Sequence, residues 1–129
     1  MAIDRLFTVV IPTRERADTL FYSLKTVCRQ QSRDLTILVS DNASLDNTEG
    51  VVNGFQDPRL RYIRPERRLS MAEHWEFALG HVRSEYVMFL GDDDGLMQNS
   101  VKRITNIIKS HRLPPALTAP EGFFFLEQR

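Results

Sequence analysis

Residues 86–94 read YVMFLGDDD, an apolar run that ends abruptly in a glycine and three aspartates. A short run that is apolar throughout is typical of a strand buried on both faces of a parallel sheet. In open α/β sheets, ligands bind beyond the carboxyl ends of the strands. The sequence therefore predicts a buried strand over 86–90 whose exit carries a cluster of acids, Asp92 to Asp94.

Strands and helices alternate along the rest of the chain. Short apolar runs predict strands at 7–11, 36–39, 86–90 and 123–126, and the alternating pattern LRYI predicts a more exposed strand at 60–63. Apolar residues at spacings of three and four predict helices from residue 17, at about 48–55, from Ser70 and around 101–108. Pro12 removes a backbone donor and is expected to end the first strand. This order predicts a Rossmann-like α/β layer sandwich with a mostly parallel sheet.

The amphipathic helices also predict which side chains form the core. In the first helix the apolar stripe includes Cys28, which is expected to be a small core residue and not a nucleophile. In the third helix, Met71 and Trp75 are expected to pack in the core, with a sugar-stacking platform as the alternative. Ile107 is expected to face the core from the fourth helix. Ser70 and Glu73 match the capping-box pattern at the start of the third helix.

Composition limits the classes of function. A chain of 129 residues, 42% hydrophobic and 26% charged, is typical of a single globular domain, predicted to span 1–129. Seventeen basic and seventeen acidic side chains cancel, which argues against nucleic acid as a partner. One cysteine excludes an internal disulfide and a cysteine-based zinc site. The start lacks a secretion signal, so the expected location is the cytoplasm, with the inner face of the membrane as the alternative.

The three adjacent aspartates are expected to bind a cation. Left unpaired, neighbouring carboxylates repel one another, and their oxygens are the ligands that Mg²⁺ and Mn²⁺ prefer. These ions commonly bridge carboxylates to the phosphates of a nucleotide. A solvated acidic turn that caps the next helix is the alternative. The predicted cofactor is a divalent metal, Mn²⁺ or Mg²⁺.

Four segments, taken in order, resemble the family 2 glycosyltransferases of the GT-A fold. They are VVIPTRER at 9–16, VSDNASLDNT at 39–48, the basic stretch before Met71, and YVMFLGDDD at 86–94. The resemblance runs from about Phe7 to Ile108. It implies inverting transfer of a sugar from a nucleotide-diphosphate sugar, with uridine diphosphate the first nucleotide to test, to a carbohydrate or other acceptor hydroxyl.

The resemblance also implies roles for residues at the strand exits. Pro12, Thr13 and Arg14 would line the nucleoside pocket, and Asp41 would accept a hydrogen bond from the base. Arg68, one of five arginines between residues 59 and 68, is the choice for a contact to the donor phosphate or the base. Ser44, Asp46 and Thr48 would shape the second loop and cap its helix.

The acid cluster would supply the metal ligands and approach the nucleotide sugar through Asp92 and Asp93. Literal Asp-x-Asp spacing selects Asp92 and Asp94 as the ligands, and Asp93 with Asp94 is the alternative pair. The catalytic residues stay unknown, because no general base is visible and family members are considerably longer. A non-catalytic nucleotide-sugar-binding module, or a fragment completed by a partner chain, is the alternative function. Homo-oligomerisation is left open.

Overall fold

A computed structural model describes residues 6–110, 116–118 and 124–127. The strands and helices of this part of the chain alternate, as the sequence predicts. In order, they are β1 Phe7–Thr13, α1 Ala17–Cys28, β2 Leu35–Asp41, α2 Thr48–Asn53, β3 Leu60–Ile63, α3 Met71–Leu79, β4 Tyr86–Phe89, α4 Ser100–Ser110, β5 Ala116–Thr118 and β6 Phe124–Glu127. The last strand overlaps the one predicted at 123–126, Phe123 itself lies outside the described residues, and β5 was not predicted.

The strands form one sheet in the order β3-β2-β1-β4-β6-β5. β1 pairs in parallel with β2 and with β4, and β2 pairs in parallel with β3. β6 is antiparallel to both β4 and β5. The predicted mostly parallel sheet is therefore confirmed. Because β1, β2 and β4 run in the same direction, their carboxyl ends meet at one edge of the sheet.

Pro12 does not end β1, so the predicted end of this strand was wrong. Successive residues of β1 direct their main-chain N–H and C=O groups to opposite neighbouring strands. The Thr13 carbonyl accepts from the Asn42 N–H on the β2 side, and the Val10 carbonyl accepts from the Leu90 N–H on the β4 side. Pro12 therefore presents its nitrogen toward β4, beyond Val10, the last residue that pairs with that strand. The missing donor removes no hydrogen bond of the ladder, and β1 continues along β2.

Helices cover both faces of the sheet. α1 packs its predicted stripe on one face, where Leu20, Leu24 and Val27 are fully buried and Cys28 lies against the cluster. α4 packs on the same cluster through Val101, Ile104 and Ile108. The opposite face carries a smaller cluster with α3, formed by Val10, Leu38, Ala78 and Val87. Ile107 is 41% exposed, so its predicted place in the core was wrong.

α3 turns a different side toward the sheet from the one predicted. Met71 and Trp75, expected in the core, are 72% and 38% exposed, whereas His74 and Ala78 are buried. The physical reason is a buried polar contact, because Nε2 of His74 lies 2.8 Å from Oγ of Ser40 on β2. The predicted capping box is present at the first turn of the helix. The outcome is that α3 presents Met71 and Trp75 at the carboxyl edge.

We predict that His74 makes folding sensitive to acid. Burial lowers the pKa of His74, against the opposing effects of Asp41 and a Ser40 backbone hydrogen bond. Because the unfolded chain then takes up the proton more readily, stability is full above the ordinary histidine pKa of about 6.5 and is lost as pH falls below it. Urea unfolding between pH 7.5 and 5 should show a steeper loss for the wild type than for His74→Gln. Parallel losses would contradict this.

Candidate functional site

Two cavities open at the carboxyl edge of the sheet. The first, which we call the α3-side cavity, has a volume of about 370 Å³ and is lined by Pro12, Thr13, Arg14, Arg16, Asn42, Met71, His74, Trp75, Gly91 and Asp92. The second, the α1-side cavity, measures about 480 Å³ and is lined by Glu15, Arg16, Ala17, Asp18, Thr19, Asp46, Asn47 and Asp93. Arg16 borders both. The loops after β1, β2 and β4 therefore build a shared polar edge.

The β1 residues predicted for the nucleoside pocket come together in the α3-side cavity. Pro12, Thr13 and Arg14 all border it, as does Asp92 from the loop after β4. The hydroxyl of Thr13 is buried and donates to Oδ2 of Asp92 over 2.9 Å. This bond joins the end of β1 to the loop that follows β4.

Arg16 is a site residue that the sequence reasoning missed. Its Nη1 lies 3.3 Å from Oδ1 of Asp92 and 3.6 Å from Oδ2 of Asp93. A single guanidinium therefore offsets part of the repulsion within the acid cluster. The Arg16 side chain is 56% exposed, so solvent screens the pair and its contribution to stability is small. Its signal in the sequence was a second arginine two positions after Arg14, the last predicted pocket residue of that segment.

Asp93 and Asp94 converge above Gly91. Oδ2 of Asp94 and Oδ1 of Asp93 lie 2.6 Å and 3.0 Å from the point that a Cβ on residue 91 would occupy. A side chain on residue 91 would displace these two carboxylates, which are hard oxygen donors of the kind that bind Mg²⁺ or Mn²⁺. Among the described residues, no three His, Cys, Asp or Glu side chains are grouped to hold a metal. The pair fits a divalent ion that takes its remaining ligands from phosphate or water.

Asp41 lies beneath the loop that follows β2 and not on the surface of either cavity. Its side chain is fully buried. Oδ1 accepts the Ser44 N–H over 3.0 Å, and Oδ2 accepts from the Tyr62 hydroxyl over 2.6 Å and from Nη1 of Arg64 over 3.1 Å. Burial and the hydrogen bond to Asp41 raise the pKa of Tyr62 to about 12. The carboxylate that was expected to meet the base thus anchors its own loop.

Asn42, the next residue, borders the α3-side cavity in place of Asp41. Its side-chain amide donates to the Leu69 carbonyl over 2.9 Å and accepts from the Leu69 N–H over 2.8 Å. The pairing fixes the segment before α3 against the exit of β2. Neighbouring residues of an extended backbone point to opposite sides. This alternation explains why Asn42 borders the cavity when Asp41 does not. A contact between Asp41 and the base stays a prediction, and Asn42 is the neighbouring side chain that borders the cavity.

Arg68 is not among the side chains that line either cavity. It forms an exposed ion pair with Glu15, whose Oε1 lies 3.3 Å from Nη2. Glu15 also accepts the Leu45 N–H, and its own N–H donates to Oγ of Ser44 over 2.7 Å.

Glu15 and Ala43 both have φ of 54°, a left-handed conformation that costs energy for residues other than glycine. Strained backbone of this kind concentrates at functional sites.

The arginines around Arg68 are also engaged by the protein. Arg59 pairs with Asp57 over 2.7 Å and donates to three main-chain carbonyls, those of Cys28, Gln30 and Ser32. Arg61 donates to the His81 carbonyl, and Arg64 donates to Asp41. These arginines fix loops of the fold, so their number in the sequence does not by itself mark an anion site.

Asp46 and Thr48 shape the second loop as expected. Oδ1 of Asp46 accepts the Thr48 N–H over 3.1 Å and the Thr48 hydroxyl, while Oδ2 accepts the Ala17 N–H over 3.0 Å. Burial raises the pKa of Asp46, but these hydrogen bonds outweigh it and hold the pKa below its ordinary value. One carboxylate thus accepts the first main-chain N–H of both α1 and α2.

A family model described as Glycosyl transferase family 2 matches residues 8–114. The chain belongs to this family. It is 31% identical over 100 residues to the GalNAc(5)-diNAcBac-PP-undecaprenol beta-1,3-glucosyltransferase of Campylobacter jejuni, covering 75% of this chain and 32% of that protein. It is 27% identical over 109 residues to the UDP-Glc:alpha-D-GlcNAc-diphosphoundecaprenol beta-1,3-glucosyltransferase WfgD of Escherichia coli, covering 84% of this chain and 43% of WfgD.

Solved structures with the same fold include glycosyltransferases. Residues 1–349 of TarS from S. aureus superimpose with a TM-score of 0.77 at 22% identity, over 83% of this chain and 33% of that one. The mannosyltransferase PcManGT from Pyrobaculum calidifontis, in complex with GDP-Man and Mn²⁺, gives 0.73 at 20% identity over 94% of this chain and 44% of that one. The expected GT-A layer sandwich is confirmed.

The chain spans 32% of the length of the Campylobacter jejuni relative and 43% of the length of WfgD. None of its described helices combines the length and the apolar character needed to cross a bilayer.

We predict that Asp41 matters for folding. In Asp41→Ala, the Ser44 N–H and the Tyr62 hydroxyl lose their buried acceptor, which costs about 1–3 kcal/mol each where no other partner replaces it. The melting temperature of the nucleotide-free protein should fall clearly. Asp93→Asn, at a carboxylate that is 60% exposed, serves as the matched control and should melt close to the wild type. An unchanged melting temperature for Asp41→Ala would refute the anchoring role.

Proposed function

We propose that this chain is the nucleotide-sugar-binding part of a family 2 glycosyltransferase, with residues 1–129 forming one domain. The observation that carries the proposal is the α3-side cavity. Pro12, Thr13 and Arg14 border it together with Asp92, at the carboxyl ends of parallel strands. Sheets of this kind bind ligands at that edge. Family membership supports the same reading.

In the proposed complex the nucleoside lies in the α3-side cavity and the diphosphate points toward the loop after β4. Neighbouring strands are about 4.8 Å apart, so the exits of β2 and β4, on either side of β1, are separated by roughly 10 Å. That span suits a nucleoside diphosphate laid across the sheet edge. Arg14 and Arg16 border the cavity and supply guanidinium charge for phosphate oxygens.

A divalent ion, Mn²⁺ or Mg²⁺, completes the proposed site. We assign it to Asp93 and Asp94, because a carboxylate oxygen of each lies beside Gly91, whereas Asp92 is engaged by the Thr13 hydroxyl in addition to the Arg16 guanidinium that it shares with Asp93. Asp92 with Asp94, the pair selected by spacing, is the alternative. When bound, the ion supplies Lewis-acid neutralisation of charge on the departing diphosphate. The Mn²⁺ complex of PcManGT supports a metal in such a site.

The proposed donor is a UDP-sugar, and the proposed reaction is inverting transfer to a carbohydrate hydroxyl. WfgD carries UDP-Glc in its name, and TarS has been solved with UDP-GlcNAc. The names of WfgD and of the Campylobacter jejuni relative both include undecaprenol-linked sugars. These names support an acceptor on a lipid carrier and a site of action at the inner face of the membrane. We assign no general base to the described residues, so transfer is proposed for the whole enzyme.

We predict that nucleotide binding depends on metal. Isothermal titration calorimetry with UDP should give at least about tenfold tighter binding with Mn²⁺ than with chelator, because the carboxylates repel a diphosphate that lacks a bridging ion. Asp93→Asn and Asp94→Asn should each lose much of that gain. Asp18→Asn, which removes an acid from the α1-side cavity, is the matched control and should keep it. Equal affinity in metal and chelator would remove the ion from the site.

A further inference from the structure

Trp75 is the only tryptophan of the chain and lies at the α3-side cavity. Its ring is stacked on Phe89 of β4, with centroids 4.5 Å apart and planes 6° from parallel. The side chain nevertheless remains 38% exposed. One face of the indole is thus covered and held in place by the protein, while the remainder borders the cavity.

The apolar lining of the cavity comes from both of its sides. Met71, one helical turn before Trp75, is 72% exposed and borders the same space. Pro12 borders it from the end of β1. Exposed apolar side chains gathered at a concave site mark a binding surface more often than scattered ones do. The space between α3 and β1 therefore suits a ligand group with a flat apolar face.

The polar side chains around this cavity are largely committed to protein partners. The Asn42 amide pairs with Leu69 in both directions, and the Thr13 hydroxyl donates to Asp92. Nε2 of His74 is engaged by Ser40. A hexose needs several side-chain partners for its ring hydroxyls, whereas a nucleobase gains most from stacking. The lining therefore favours a base over a sugar.

We propose that Trp75 is the stacking platform for the nucleobase of the donor nucleotide. The proposal rests on the proposed function, since it deepens the role of the same cavity. The base lies against the open part of the indole, so that Phe89, Trp75 and the base form a continuous stack. The diphosphate then leaves toward the loop after β4, which follows Phe89 along the chain.

A single tryptophan allows a direct test by fluorescence. With Mn²⁺ present, UDP should change Trp75 emission saturably, with the same Kd that calorimetry gives. Glucose 1-phosphate and pyrophosphate, which carry no base, should leave the emission unchanged. Calorimetry should show about tenfold weaker UDP binding for Trp75→Leu and about threefold at most for Trp75→Phe. Tyr22→Leu, at an aromatic residue of α1 that is 68% exposed, is the matched control and should not alter Kd.

Comparison of the leucine and phenylalanine variants separates stacking from simple apolar volume, and thermal melts confirm that both are folded. UDP binding that leaves Trp75 emission unchanged, or equal Kd values for the two variants, would overturn the platform while leaving the proposed function intact. An emission change with glucose 1-phosphate and none with UDP would also overturn it, in favour of a sugar. Failure of UDP to bind the wild-type chain would overturn both proposals.

Discussion

β1 is hydrogen-bonded in parallel to β2 on one side and to β4 on the other, with Thr13 level with Asp41. Parallel pairing forces each connection back across the sheet, and the connecting helices cover its two faces. It also delivers the loops that follow these strands to one edge. The acid cluster, the β1 exit and the Asn42 loop therefore meet for reasons of topology alone.

The edge is held by polar contacts among the strand ends, the loops that follow them and α3. Thr13 binds Asp92, Ser40 binds His74, and Asp41 holds Ser44. Within the part of the chain that the structure describes, no buried side-chain nitrogen or oxygen lacks a hydrogen-bond partner. Buried polar groups stabilise a single arrangement when they are fully paired and destabilise it when they are not. The site is consequently held in shape before a ligand arrives, which lowers the entropic cost of binding.

Much of this arrangement follows from sequence patterns, and the exceptions have physical causes. Apolar strand runs and helical spacing predict β1 to β4, their parallel order and the acids at the end of β4. Asn42, and not Asp41, borders the α3-side cavity, because a sequence pattern does not show which of two neighbours at a strand exit points inward. Trp75 was expected in the core because hydrophobicity alone places it there. The side that α3 presents to the sheet depends instead on a contact between His74 and Ser40, which are far apart in sequence.

Crystals of this chain grown with UDP and Mn²⁺ would locate both parts of the ligand, the nucleotide by difference density and the ion by manganese anomalous scattering. We expect the nucleoside in the α3-side cavity, against Pro12, Arg14 and Trp75. We also expect an anomalous peak within coordination distance of Asp93 and Asp94. A nucleotide bound in the α1-side cavity, beside Asp18 and Asp46, would contradict the proposed binding site.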